Sequence, residues 1–224
     1  MLRTVGWFHD ATLILAVGAM LLVRKHSLVS VGVHAHDWLK ATSLALPFML
    51  VAFLARGLVP ALWNDWTISP LGDNLSVFGF TLFRAFREDL IFVAFLQTRL
   101  YGWLKDDKQA VNIGAIIFGL MHAIGPLAQG SLTSLGAVAG VGLWVVACFY
   151  MHHVFVFLYK KHFSLISITL LHTVVNFSGR IWLEQDNDTF AWGFAAAVLG
   201  CVIVMEVLNW RDTRKQVDTI MEDQ

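Results

Sequence analysis

Charge is scarce in this chain: only 14% of its 224 residues are Asp, Glu, Lys or Arg, while 57% are hydrophobic. Soluble domains carry roughly one quarter charged residues. The apolar residues also come in long blocks rather than at amphipathic spacing, which excludes an ordinary soluble fold. The formal net charge is zero and no basic run is present, so nothing points to a nucleic-acid partner. Cysteine is limited to Cys148 and Cys201, both inside apolar runs, with no CxxC pattern and no disulfide framework. Each reads as a small buried hydrophobe. There is no HExxH, no internal repeat and no low-complexity tract. The N-terminus lacks a small-residue cleavage site ahead of a soluble domain, so it reads as a first membrane helix rather than a cleaved signal.

What is present is a series of runs near the roughly 20 apolar residues that a spanning helix needs. Seven are expected, at about 5–23, 43–63, 75–103, 110–128, 132–158, 163–183 and 190–210. The third and fifth exceed the minimum and must tilt, kink or extend into water. Loop charge alternates. Arg24, Lys25 and Lys40 follow the first run, Arg99, Lys105 and Lys108 the third, Lys160 and Lys161 the fifth, and Arg211, Arg214 and Lys215 the last. The alternate loops carry instead Asp65 and Asp73, nothing charged at 129–131, and Glu184, Asp186 and Asp188. The positive-inside rule then gives an outside N-terminus and a cytoplasmic C-terminus. Trp63, Trp66, Trp103, Trp182 and Trp210 near the run ends read as interfacial anchors. The expected fold is all-α: a single domain over 1–224, a polytopic bundle of about seven spans in the cell membrane.

Three of these runs carry polar groups near their middles: Glu88-Asp89 in RAFREDLIFVAFL, His122 in IGAIIFGLMHAIG, and His172 with Asn176 in SITLLHTVVNF. An ionisable group inside a span costs about 3 kcal/mol or more, so it rarely persists without a partner or a task. With the third run pointing inward and the fourth and sixth outward, Glu88 lies roughly 20 Å below its outer end. His122 and His172 lie roughly 18 and 14 Å from their inner ends, so the three can share one depth. Phe118 and His122 are four residues apart, as are His172 and Asn176, so each pair shares a helix face. A carboxylate beside an imidazole can activate water, the carboxylate taking the proton and the imidazole positioning or shuttling it. A second histidine and an asparagine could donate to a developing oxyanion. Such a site suits a peptidase or amidase without a nucleophilic side chain.

The motifs EDxxF from Glu88, FGLMH ending at His122, and HTVVN from His172 to Asn176 resemble those of the CPBP family. These are the type II CAAX prenyl proteases and bacteriocin-processing (Abi) enzymes, glutamic-type intramembrane proteases with the ordered pattern EExxxR, FxxxH and HxxxN or HxxxD. The resemblance covers about residues 80–180, the expected catalytic core. It implies that Glu88 and His122 activate the hydrolytic water, that His172 and Asn176 stabilise the oxyanion, and that no metal or other cofactor is required. The implied substrate is a membrane-associated protein or peptide. Bacteriocin leaders and C-terminal sorting segments are favoured over a prenylated tail. Asp89 stands at the family's second glutamate and Val93 at its arginine, which leaves Asp89 short of a partner; Arg84 and Arg87 are the candidates to supply that charge.

Other readings use the same residues differently. Glu88 and Asp89 could form a structural ion pair with Arg84 or Arg87, and the histidines and Asn176 could be polar contacts between helices. A non-catalytic scaffold or immunity protein would keep the fold and lose the chemistry. Glu88, His122 and His172 could instead hold zinc, or serve a proton-coupled transporter. His152 and His153 read as interfacial, with the alternative that one of them faces the site, and Arg56 and Arg180 as snorkelling or paired near span ends.

Overall fold

The computed structural model describes residues 2–33, 38–64, 67–130, 132–182 and 187–222, with side chains over 11–33, 38–64, 67–130, 132–182 and 192–215. Asp65, Trp66, Glu184, Asp186 and the side chain of Asp188 lie outside the described residues. Among the described residues the fold is helical throughout, with one isolated bridge between Ile68 and Trp182 and no strand.

The chain begins with α1 (Leu2–Val23) and α2 (Trp38–Phe53), which passes through a π turn (Leu54–Leu58) into α3 (Val59–Trp63). Next comes a long column: α4 (Leu71–Asp89), a second π segment (Leu90–Leu96) and α5 (Gln97–Leu104). Then follow α6 (Asp107–Ala128), α7 (Leu135–His162), α8 (Leu165–Phe177) with a 3-10 turn (Ser178–Arg180), and α9 (Asn187–Glu222). Start signals are local. Asp106 caps α6 by accepting from the Gln109 amide at 2.9 Å, and Ser134 caps α7 by accepting from Ala137 at 3.1 Å.

Four helical stretches are long and apolar enough to cross a membrane: Trp38–Trp63, Asp107–Ala128, Leu135–His162 and Trp192–Lys215. Ala11–Val23 is apolar but shorter. The expected third run falls on the α4–α5 column, which carries Arg84, Arg87, Glu88, Asp89 and Arg99 among its apolar residues, and the sixth on the 13-residue α8. Trp63, Trp103, Trp192 and Trp210 are exposed near the ends of helices or of their apolar stretches, as interfacial anchors would be. Two ion pairs tie together ends that the charge pattern places on one side. Lys160 at the end of α7 reaches Asp107 at the start of α6 (2.5 Å), and Lys161 reaches Asp212 near the end of the apolar stretch of α9 (2.7 Å).

The core gathers around α7 and α8, where Phe155, Leu158, Leu165, Ile168 and Leu171 are fully enclosed, with Val93 from the π segment and Phe48 from α2. Within a bilayer such packing holds helices through close van der Waals fit rather than expulsion of water. α6 approaches α7 so tightly at Gly119 that a Cβ there would stand 2.8 Å from the Val145 carbonyl oxygen. At the opposite ends of α4 and α8, the Ser69 amide donates to the Ile181 carbonyl at 2.8 Å beside the Ile68–Trp182 bridge. That clip fastens together the two helices that carry the buried carboxylates and His172.

Candidate active site

Three helices deliver the polar groups to one point. The last turn of α4 brings Glu88 and Asp89, the C-terminal third of α6 brings His122, and α8 brings His172 and Asn176. Glu88 Oε2 lies 3.7 Å from His172 Nε2 and 4.0 Å from His122 Nε2. Those gaps are too long for direct hydrogen bonds and suit a bridging water, about 2.8 Å from each partner. The other oxygen, Oε1, is occupied: Arg87 Nη2 donates at 2.5 Å and Arg84 Nε at 3.1 Å. The carboxylate is therefore held on one side and open on the other.

Asp89, the next residue, is turned away and fully enclosed. Its Oδ1 accepts from His172 Nδ1 at 2.9 Å, across 83 residues of sequence. The expectation that Asp89 lacks a partner is therefore corrected: the absent arginine leaves no gap, because a histidine from α8 fills the role. Val93, where an arginine was expected from the family pattern, is 0% exposed among apolar neighbours in the π segment. A guanidinium there would have no water to reach.

Each histidine is fixed by what its second nitrogen does. His122 Nδ1 donates to the carbonyl of Phe118 one turn earlier, at 2.8 Å, which leaves Nε2 directed at Glu88. His172 Nδ1 is engaged by Asp89, again leaving Nε2 toward Glu88. Phe118 is the aromatic hub, its ring 4.7 Å from His122, 6.4 Å from His172 and 5.4 Å from Phe92. Phe155 covers the far side of His172 at 4.9 Å. Asn176 lines two small spaces, one shared with Phe118, His122 and His172, the other with Arg84 and Glu88.

The cluster opens on a groove of about 790 Å³ between α4, α6 and α7, lined by Phe92, Met121, Gly125, Pro126, Gly140 and Val141, with Arg84, Arg87, Glu88 and His122 at its polar end. An extended peptide segment fits a trough of that size and largely apolar lining.

Every residue singled out in the sequence for the site thus converges here: Glu88, His122, His172, Asn176, Asp89, Arg84, Arg87 and Phe118. Four further residues escaped the sequence reading or were placed elsewhere by it. His152 is fully buried rather than interfacial, its Nε2 3.1 Å from Gln97 Oε1 and its ring 5.3 Å from that of Phe118. Gly114 makes room for this contact, since a Cβ there would collide with both Gln97 Oε1 and His152 Nε2. Gln97, an amide inside an apolar helix, was the available signal. Arg56 is also buried rather than snorkelling. Its guanidinium lies 4.7 Å from the Phe194 ring centroid and 5.9 Å from that of Trp144, and those two rings stack at 4.1 Å beside the site.

Comparison with known proteins gives a family likeness over part of the chain. Residues 70–178, just under half of the chain, form an Rce1-like domain, matching the family model described as type II CAAX prenyl endopeptidase Rce1-like. The matched model describes a CPBP-type protease domain, so over this stretch the chain is similar to a membrane-protease family, and four of its helices are long and apolar enough to cross a membrane. The matched stretch begins at the residue before α4 and ends just after α8, so it contains every group of the cluster. No curated protein and no solved structure matches the chain.

Proposed function

We propose that this protein is an intramembrane endopeptidase that hydrolyses a peptide bond in a membrane-associated protein or peptide, using a water activated by Glu88 and His122. The observation that carries this reading is the divided Glu88 carboxylate: Oε1 is held by Arg84 and Arg87 while Oε2 faces two imidazole Nε2 atoms at 3.7 and 4.0 Å. A water between Oε2 and His122 Nε2 donates one proton to the carboxylate as its oxygen attacks the scissile carbonyl. The carbonyl oxygen becomes an oxyanion, stabilised by the Asn176 amide and by His172 when Asp89 holds that ring as an imidazolium donating through Nε2. Glu88 then gives the proton to the departing amine, and the tetrahedral carbon collapses to a carboxylic acid. Positive charge from Arg84 and Arg87 beside Glu88 disfavours a dication, which supports a metal-free reaction.

The same reading places the whole chain, 1–224, in the bilayer as one domain of about seven crossings, with the N-terminus outside and the C-terminus in the cytoplasm. It locates the protein in the cell membrane. The α7–α6 and α7–α9 ion pairs support the grouping of basic ends on one side.

The test is a mass-spectrometric comparison of membrane peptides from cells with wild-type protein and with Glu88→Gln at equal membrane level. A precursor that accumulates only in the variant supports proteolysis. One observation favours a second reading, a non-catalytic scaffold: buried Val93 at the family's arginine position. Unchanged peptides and an unchanged cellular phenotype in Glu88→Gln would select that reading.

A further inference from the structure

The space around Glu88 is lopsided along the bundle. On α6 the lining of the groove of about 790 Å³ runs from Met121 to Gln129, and on α7 from Trp144 back to Ala137. The Lys160–Asp107 pair ties the end of α7 to the start of α6, so the two helices are antiparallel and both linings lead the same way. They lead away from the basic ends, toward the end of α6 and the start of α7. A compartment of about 110 Å³ shares Arg84, Glu88, His122 and Trp144 with the groove and reaches back to Phe80 and Thr81. Those two lie about two turns from Glu88 toward the start of α4, which the loop charges place on that same side.

Toward the basic ends nothing comparable opens among the described residues. Val93, Ala94 and Gln97 on the α4–α5 column are fully enclosed, as are Ala115 on α6 and His152 and Phe155 on α7. The Phe118 ring closes the floor, 5.4 Å from Phe92 and 5.3 Å from His152. A space of about 20 Å³ beside Phe118, Met151 and Phe155 has room for about one water, not for a peptide. At the basic end itself a dent of about 330 Å³ lies between Asp107, Asn112, His153 and Lys160, and it shares no wall with the groove.

The packing of α6 on α7 explains the asymmetry. The helices close on each other at Gly119, where an added Cβ would stand 2.8 Å from the Val145 oxygen. Nearer the mouth they part: an added Cβ at Gly125 or Gly140, both in the groove wall, would meet nothing within 4 Å. Gln129 at the mouth stands seven residues beyond His122, or about 10 Å. About three residues of extended chain cover that distance. The rim carries no charge, since no Asp, Glu, Lys or Arg occurs from 127 to 142. A charged segment would lose water there and gain no ionic partner from that rim.

We infer that the active site is entered from the non-cytoplasmic end of the bundle, through the gap between the end of α6 and the start of α7, and that its substrate is an uncharged, apolar stretch of a membrane protein reaching in from that side in extended form. The inference rests on the protease reading above and on the orientation proposed with it. It narrows the substrate to segments that reach the outer half of the bilayer, and it excludes segments confined to the cytoplasmic surface.

The test reads the side of entry and its use in one sample. Ala137→Cys is introduced into the full-length chain, whose own Cys148 and Cys201 are buried, and the unsubstituted protein is the blank. Sealed right-side-out and inside-out membrane vesicles are treated with a membrane-impermeant sulfonated dye-maleimide and quenched. The protein is then purified and assayed on a library of apolar, internally quenched peptides. Ala137→Cys should label in right-side-out vesicles and lose at least about tenfold in kcat/KM. In inside-out vesicles it should stay unlabelled and active, while Lys108→Cys at the basic end labels only there and keeps its rate. Labelling of Ala137→Cys from the inside-out face or from neither face, or full activity after complete labelling, overturns the inference. Gly140→Trp, which fills the groove, should raise KM about tenfold with little change in kcat, and an unchanged KM also overturns it. If Gly140→Trp fails to fold, the maleimide arm decides, because it blocks protein that is already folded. The expected labelling with no cleavage of any peptide by unlabelled protein would sink the protease reading and retain the entrance. Cleavage that is lost in Glu88→Gln but survives complete labelling does the reverse.

Discussion

Glu88 and Asp89 are neighbours in sequence with the same charge, yet they occupy two different environments. Glu88 lines both the groove and the compartment, one oxygen held by arginines and the other facing imidazoles across water-sized gaps. Asp89, rotated about 100° around the helix, is sealed inside and bonded to His172. One carboxylate is placed where chemistry can reach it, and the other where it can only hold something else in position. On the proposed mechanism, two acidic residues side by side divide the work between reaction and support, and the helix turn between them makes the division.

Breaking the open side should have the largest effect. Glu88→Gln keeps the shape and the arginine contacts but cannot take a proton, and at least about a thousandfold loss of cleavage rate is expected, within the range of general-base catalysis. The measurement is peptide turnover by the purified protein. Asn176→Ala should follow with about a hundredfold fall in kcat and little change in KM, the pattern of an oxyanion donor.

The sealed side should respond in stability as well as rate. Asp89→Ala strands His172 in a closed site, and removing one partner of a buried pair costs about 3–5 kcal/mol. Denaturant unfolding in detergent should show that loss, and Asp89→Asn, which still accepts from Nδ1–H, should recover a large part of it. If Asp89→Ala is as stable as wild type, the division between the two carboxylates is wrong. Val93→Arg sharpens the comparison from another direction. It should lower thermal stability and bring no gain in activity, since Asp89 already has its partner. Addition of 1,10-phenanthroline should do least, leaving the rate within about twofold of untreated protein.

The polar cluster was legible in the sequence because ionisable groups stand out against apolar runs, and motif order tied three such runs together. The extents of the helices were legible too: the expected 110–128 became Asp107–Ala128 and 132–158 became Leu135–His162. What could not be read was pairing across distance. His172 as the partner of Asp89, and Gln97 as the partner of His152, depend on how α8 and α7 pack on the α4–α5 column, and no local pattern encodes that. Arg56 was open for the same reason: snorkelling and pairing both fit an arginine near a run end, and its burial against Phe194 and Trp144 removes the first. The π segments were equally hidden, since Leu90–Leu96 is composed of ordinary helix formers and core residues.

That second π segment does more than bend a helix. A π turn holds more residues than an α turn, so it resets the angular phase of everything that follows. Above it, the column aims Glu88 and Asp89 at α6 and α8. Below it, the same column aims Gln97 at His152 in α7. Were Leu90–Leu96 to wind as a regular α-helix without losing a residue, Gln97 would swing roughly 100° off that target, and removing one residue from the segment at the same time would bring it back. One irregular turn thus lets a single rod carry two addresses.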